Sequence, residues 1–308
     1  MVSIGIPFFN ARATLADAVR SVFAQSREDW ELLLVDDGST DGSGDVARRV
    51  RDPRVRLMAD DVNKGLPSRL NEIARLAQGE YLARMDADDL MHPQRLERQV
   101  RFLEAHPAVD VVDAAVYTIA SDNEPLGKRG RVPLAADPVS VLRRGLLLHP
   151  AVTGRTAWFR NNPYDAGYVR AEDRELWIRT CARTVFARVP EPLLFYREDL
   201  SGNLKSYLQT LRSTRQILRT YGPPLVGRLG TARLVAGEHL KGLCYRLFTR
   251  LGRADRLIRR RNRPLEAAEA AAARAVIGRV LRTSVPGFEG CADAARADDR
   301  HEKVATRT

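Results

Sequence analysis

Three times in its first 77 residues the chain repeats one pattern: a short apolar run, an abrupt polar end, a turn, then apolar positions at helical spacing. Val2-Ser3-Ile4-Gly5-Ile6 is a β-branched run stopped by Pro7, and residues 13–25 then set Leu15, Ala18, Val19, Val22 and Phe23 on one face, predicting a helix with Thr14 as its cap. Trp30-Glu31-Leu32-Leu33-Leu34-Val35 is almost continuously apolar, as expected of a parallel strand covered on both faces. It ends in Asp36-Asp37-Gly38-Ser39-Thr40-Asp41-Gly42-Ser43, a turn into a helix over 45–50. A third strand over 55–58 leads through Asn63-Lys64-Gly65-Leu66-Pro67 to a helix over 68–77, and a fourth strand begins at Gly79. Successive strand–helix units of this kind predict a doubly wound, mostly parallel sheet with ligands bound along the rim where the strands end.

The pattern changes after residue 90. Residues 95–103 are an amphipathic helix and 109–119 a strand that Asp113 interrupts. Residues 121–137 are rich in loop formers, Asn161-Asn162-Pro163-Tyr164-Asp165 is a turn, and Leu176-Trp177-Ile178 opens a helix with Glu172-Asp173 at its N-terminal end. Residues 185–196 return as a strand broken at Pro190 and Pro192. Beyond 205 the texture becomes Arg-, Leu- and Ala-rich, with helices predicted over 206–220, 232–263 and 265–282, split by Pro223-Pro224 and Pro264. From Gly287 onward periodicity is lost, and disorder is expected.

Charge sharpens this division. The net charge is +11, yet residues 1–200 hold 28 Lys and Arg against 30 Asp and Glu, leaving 22 against 9 for 201–308. The basic excess belongs wholly to the last third, which should therefore meet something anionic. Within it, 232–263 interleaves Leu234, Leu240, Leu243, Tyr245, Leu247, Phe248, Leu251 and Leu257 with Arg and Lys, a pattern that fits either a membrane interface or docking on the preceding domain. Three widely separated cysteines, Cys181, Cys244 and Cys291, favour neither a disulfide framework nor a thiolate metal site. No basic–apolar leader and no apolar run of about 18 residues is present, so a cytoplasmic protein is expected, peripheral at most to the inner membrane face.

The chemistry concentrates in Tyr81-Leu82-Ala83-Arg84-Met85-Asp86-Ala87-Asp88-Asp89, an apolar strand ending in three carboxylates within four residues. Like charges this close disfavour their own ionised forms. The cluster makes sense around a hard divalent cation, Mn²⁺ or Mg²⁺, which leaves ligand positions for water and phosphate oxygens. The competing reading is a solvated acidic loop in which Asp88 or Asp89 caps the helix beginning near Pro93.

Ile4-Gly5-Ile6-Pro7-Phe8-Phe9-Asn10, Val35-Asp36-Asp37-Gly38-Ser39, Met85-Asp86-Ala87-Asp88-Asp89, His149-Pro150 and Glu172-Asp173-Arg174-Glu175-Leu176-Trp177 resemble, in that order, motifs of the family 2 glycosyltransferases of GT-A fold. The resemblance covers residues 2 to about 200. It implies a GT-A-type α/β catalytic domain over 1–205, with a nucleotide-sugar half (1–120) and an acceptor half (121–205), followed by a basic helical extension (206–285) and a tail (286–308). It further implies that Pro7, Phe9 and Asn10 line the nucleotide pocket, that Asp37 accepts a hydrogen bond from the base, that Asp86 approaches the ribose or sugar, and that Asp88 holds the metal. Family 2 enzymes invert the anomeric centre, so one general base suffices; the resemblance assigns it to Asp173, with Glu172 second.

Other residues carry two readings each. Arg69 could reach the donor from its helix or be solvated; His149 could orient an acceptor or be a loop residue; Trp177 could stack on a sugar or be core. Arg197 could meet the diphosphate, standing where many family members carry a nearby His and this chain has Glu198-Asp199. The partners implied are a nucleotide-sugar donor, most simply a UDP-sugar, a saccharide or lipid-linked saccharide acceptor in surface-polysaccharide synthesis, and an anionic membrane surface met by 206–285. A nucleotidylyltransferase would need a Gly-rich basic N-terminal loop and a phosphatase an Asp-x-Asp-x-Thr/Val pattern; neither is present. A nucleic-acid-binding protein is disfavoured by the near-neutral first 200 residues, which leaves a non-catalytic sugar-nucleotide-binding protein as the main alternative.

Overall fold

A computed structural model of the chain describes residues 1–130, 134–198, 203–253, 257 and 261–288. Its centre is a nine-stranded sheet whose first four members in space, β3 (Val55–Asp60), β2 (Trp30–Asp37), β1 (Val2–Phe8) and β4 (Tyr81–Arg84), are mutually parallel. β1 and β2 are buried along their whole length, the environment their continuous apolar runs demand. Between these strands run helices α1 (Leu15–Phe23), α2 (Ser43–Arg48) and α3 (Leu66–Leu76). Thr14 stands at the start of α1, although its side chain accepts no capping bond.

The sheet then turns mixed. β8 (Thr153–Arg155) pairs antiparallel with β4 and with β6 (Val111–Ile119), β6 runs parallel to β9 (Phe186–Arg197), and the two-residue β5 (Leu90–Met91) closes the edge against β9; β7 (Pro125–Arg129) pairs with β6. Asp113 does not interrupt β6. It is fully buried within the strand, where it accepts bonds from the Arg188 guanidinium of β9 and from the Leu148 N–H. Pro190 and Pro192 do not end β9 either; the register against β6 shifts around Ala115 instead, a bulge that lets the prolines stay in the strand. Helix α4 (Arg95–Ala105) starts behind Gln94, so neither Asp88 nor Asp89 is its cap.

Two long apolar layers cover the sheet. The second includes α5 (Pro138–Arg144), α6 (Thr156–Asn161) and α7 (Glu172–Thr180), against which the C-terminal third packs. α8 (Leu204–Arg250) runs on past Pro223 and Pro224 and breaks at Gly227, whose φ of 71° and ψ of 168° reverse the chain. The result is a helical hairpin: Thr231 lies over Gly222, Leu208 and Leu211 lie over Gly242, and the rings of Tyr207 and Tyr245 stack at 3.9 Å. The prolines sit in the last turn before the reversal, so the expected split is displaced by a few residues. Residues 254–256 and 258–260 of the helix expected over 232–263, and 289–308 of the tail, lie outside the described residues.

The boundary at residue 205 marks a change of composition, whereas the packing runs across it. Ile217 and Leu218 of the first hairpin arm are core. Helix α9 (Ala267–Leu281) inserts Ala273 and Ile277 beside Leu90, Ile119 and Phe195, and Val285 and Phe288 join the layer that contains β1.

Candidate active site

The parallel strands end along one rim, and the sequence-specific polar residues collect there around a cavity of about 700 Å³. Pro7 and the half-exposed Phe9 come from the end of β1, Asp37 from the end of β2, Arg84 and Asp86 from the end of β4. The opposite wall is His149, on a single 3-10 turn (His149–Ala151), with Glu172 and Asp173 from the first turn of α7. Asn10, with φ of 51°, lies just outside this lining and braces it: its backbone N–H donates to Ser39 Oγ and its Oδ1 accepts from Thr40 N–H.

On the β2 side, Asp37 is held by its own chain. Its Oδ1 accepts from the Lys64 N–H (2.7 Å) and Arg69 Nε (2.8 Å), its Oδ2 from the Gly65 N–H (3.0 Å). A carboxylate has about four acceptor sites, so Oδ2 retains one for a ligand. Arg69, though a wall residue, has every N–H committed, to Asp37, Asp60, Glu72 and the Val62 carbonyl. Its place is behind Asp37, which it fixes.

At the centre lies Arg84, buried at 4% exposure. Its guanidinium grips Asp86 through two bonds (2.8 and 2.5 Å). Burial, the largest single influence, lowers its pKa, but the charge and hydrogen bond of Asp86 together with Tyr164 and Glu172 outweigh it, and the net shift is upward. From below, Arg95 donates to the carbonyls of Arg84 and Val152, locking the end of β4. Asp86, Asp88 and Asp89 bring carboxylate oxygens within 4.8 Å of one another. Asp88 is exposed, yet the surrounding protein and then the Asp86 charge push its carboxyl up to about 6. Asp89 is fully buried, its pKa raised well above the ordinary value by burial and by Asp88 and Asp86. One of its oxygens accepts from Arg197 N–H (2.8 Å); the other is buried with no hydrogen-bond partner. Three converging carboxylates with an orphaned oxygen fit a hard divalent cation. Arg197 itself is a staple, bonding the carbonyls of Asp88, Ala120 and Ser121 and the Asn123 side chain. It fixes the acidic loop, with most of its donors committed to these bonds.

Across the cavity His149, Glu172 and Asp173 are equally close. His149 shares a 2.9 Å bond with the Tyr164 hydroxyl, and its burial and the Arg84 charge keep it neutral. Glu172 is nearly inaccessible, at 4%, with one carboxylate oxygen unpartnered; burial and then the Asp173 charge raise its carboxyl to about 7. Asp173, more accessible, is also raised by burial, while the Arg174 backbone N–H and Arg84 act to lower it. Coupled acids of this kind release protons as a pair. At neutral pH the pair holds less than its full negative charge, and one member is available as a base. Trp177 does not offer a face to a ligand. It is completely buried against Trp158 and Phe186 and supports His149 edge-on at 6.2 Å.

The periodicity of the chain missed Arg84 and Tyr164. Arg84 was discoverable: it precedes Asp86 by two residues on an extended segment, so both side chains share a face, and a charge inside an apolar strand needs such a partner. Tyr164 lay in a turn with no pattern of its own.

The glycosyl transferase family 2 model matches residues 3–177. Among curated proteins, the chain is 34% identical over 189 residues to the putative glycosyltransferase EpsE of Bacillus subtilis, covering 58% of this chain and 66% of that one. It is 28% identical to the Escherichia coli UDP-Glc:alpha-D-GlcNAc-diphosphoundecaprenol beta-1,3-glucosyltransferase WfgD, over 58% and 68% of the two chains. A teichuronic acid biosynthesis glycosyltransferase described as putative, TuaG of B. subtilis, is 37% identical over 33% of this chain and 42% of its own. The chain thus spans about two thirds or less of these relatives' lengths. The S. aureus TarS 1-349 crystal structure in complex with UDP superposes with a TM-score of 0.57 at 15% identity, over 97% of this chain and 87% of that one, and the corresponding UDP-GlcNAc complex with a TM-score of 0.56. These establish the GT-A-type fold.

Proposed function

The chain belongs to glycosyl transferase family 2, and from that membership and the form of its cavity we propose that it is an inverting glycosyltransferase. It moves a sugar from a nucleotide diphosphate donor, a UDP-sugar, to a saccharide or lipid-linked saccharide acceptor in surface-polysaccharide synthesis. The observation that carries the proposal is a single cavity at the carboxyl ends of β1, β2 and β4 that is lined both by Asp86, which clusters with Asp88 and Asp89, and by Glu172 and Asp173. WfgD, by its name, uses a UDP-sugar and a lipid-diphosphate-linked acceptor. An acceptor of that class lies in a bilayer, which would put the enzyme at a cytoplasmic membrane face.

In this reading Pro7 and Phe9 form one side of the nucleotide slot, with Asn10 bracing its edge. Asp37, oriented by Arg69 and the Lys64 and Gly65 amides, directs its remaining lone pair at the base N–H. Asp88 and Asp89 would hold Mn²⁺ or Mg²⁺, whose charge offsets that of the diphosphate. Asp86, gripped by Arg84, is preset to face the ribose or sugar.

Asp173 takes the proton of the acceptor hydroxyl as its oxygen attacks the anomeric carbon and the bond to the diphosphate oxygen breaks on the opposite side. His149, neutral and fixed by Tyr164, is placed to orient that hydroxyl. Glu172 keeps the local negative charge low by holding its own proton near pH 7.

Calorimetric titration with UDP and with GDP, each with and without Mn²⁺, tests the donor half: UDP binding should require metal and vanish in Asp88→Ala. Asp173→Asn tests the acceptor half. It should retain UDP binding while transfer falls by about 10²–10⁴-fold; undiminished transfer would move the base elsewhere.

A further inference from the structure

The second arm of the α8 hairpin has two faces with opposite fates. Thr231, Glu238, Gly242 and Tyr245 turn inward and are buried. Leu229, Leu240, Leu243, Leu247 and Leu251 turn outward and are 55–67% exposed. On a helix advancing 100° per residue these five fall within one narrow stripe directly opposite the docked face. Five exposed leucines in register are an apolar surface that a soluble protein does not ordinarily maintain.

Their neighbours define what would cover them. Arg228, His239, Arg246 and Arg250 form an exposed row along one flank, with Arg233 inside the stripe. Glu238, the sole acidic residue of the arm, is turned inward and paired with Lys241. The basic flank opens into a groove between the two arms, about 490 Å³ in volume, walled by Arg219, Arg228 and His239 beside Val235 and Ala236. An apolar stripe beside a cationic row free of acids matches a bilayer surface, acyl chains meeting the leucines and lipid phosphates meeting the arginines. No described helix is long and apolar enough to cross a membrane. The contact is therefore one that lies on the surface.

We propose that the outer face of this arm, Leu229 to Leu251, seats the protein on an anionic phospholipid bilayer. The first arm supplies Thr210 to the wall of the active-site cavity, so the seat and the site share one hairpin. The inference stands on exposure and charge and does not depend on the proposed catalytic function.

The test is co-sedimentation of the full chain with vesicles of phosphatidylcholine alone and of phosphatidylcholine mixed with phosphatidylglycerol. Wild type should pellet with the mixed vesicles and not with the neutral ones. Leu240→Ser/Leu243→Ser/Leu247→Ser alters only exposed positions and should lose at least tenfold in partition; Arg246→Gln/Arg250→Gln should lose about tenfold or more. Circular-dichroism spectra and melting temperatures unchanged from wild type in both variants would show that the fold survives. Failure of wild type to pellet, equal pelleting with neutral vesicles, or undiminished pelleting of the leucine variant would each overturn the proposal. So would light scattering that finds wild type dimeric and the leucine variant monomeric, because the stripe would then be covered by a second copy.

Discussion

At the level of single residues, the cavity is organised by groups that control charge. Glu172 is the clearest case, because its carboxyl is raised to about 7 by burial and by Asp173 while an unfolded Glu titrates near ~4.3. Between those values the folded chain binds a proton that the unfolded chain has released. Its contribution to stability is therefore full below about pH 4 and is lost as pH rises toward 7. Glu172→Gln should remove this slope: the melting temperature of the variant relative to wild type should rise from about pH 5 to about pH 8, and a constant difference would show that Glu172 is not the proton holder. Trp177 makes the complementary point. Being wholly enclosed, Trp177→Ala should cost about 3–5 kcal/mol in denaturant unfolding; a loss of acceptor affinity with stability intact would instead restore a sugar-stacking role. Which of these residues the sequence disclosed follows from how local their signals are. Asp37, Asp86 and Asp88 stand at the ends of apolar runs and announce themselves. The saturation of Arg69 and Arg197 does not, since apart from Glu72, three positions from Arg69, their partners come from 7 to 109 positions away.

Among the elements, the parallel half of the fold was legible because its two central strands, β1 and β2, are buried along their whole length and so read as nearly unbroken apolar runs. The mixed half was harder. Asp113 looked like an interruption because its compensation, Arg188, lies 75 residues away, and the β9 prolines looked like breaks because a bulge depends on the partner strand. The α8 hairpin shows the same limit. Two prolines advertise a break, but Gly227 makes it, in a region of φ and ψ that essentially only glycine occupies. With no atom near its missing Cβ, the penalty of a side chain there is purely conformational. Gly227→Ala should thus destabilise by about 1–3 kcal/mol. Gly237→Ala, with equal space but within the second arm, should be neutral or stabilising by up to ~1 kcal/mol. Chemical denaturation of the two variants checks this, and equal effects would contradict the reversal at Gly227.

For the molecule as a whole, the described residues of the basic C-terminal third divide their duties: one face of the second hairpin arm stays free, while the first arm, α9 and the segment through Phe288 pack on the catalytic domain. After α9 the chain returns to the first half of the sheet, where the Pro286 carbonyl accepts from Arg51 N–H (2.8 Å) and the Arg20 guanidinium lies 5.5 Å from the Phe288 ring centre. Nothing near residue 288 hints at this, because the surface it covers is built from residues more than 200 positions earlier and nearly half of α9 is alanine. A chain ending at residue 263 would keep every residue assigned to the donor and acceptor sites. It would also uncover Leu90, Ile119 and Phe195, which now pack on Ala273 and Ile277, and would lose Val285 and Phe288 from the main core. Burial of a single large apolar side chain is worth about 1.5–3 kcal/mol, so losing several approaches the whole stability of a domain, about 5–15 kcal/mol. The truncated chain should therefore melt at a much lower temperature or fail to fold, and Phe288→Ala in the full chain should lower stability by about 3 kcal/mol. If instead the truncated chain melted like wild type and bound UDP, the tail would be an accessory, and residues 1–263 would be a self-sufficient catalytic unit.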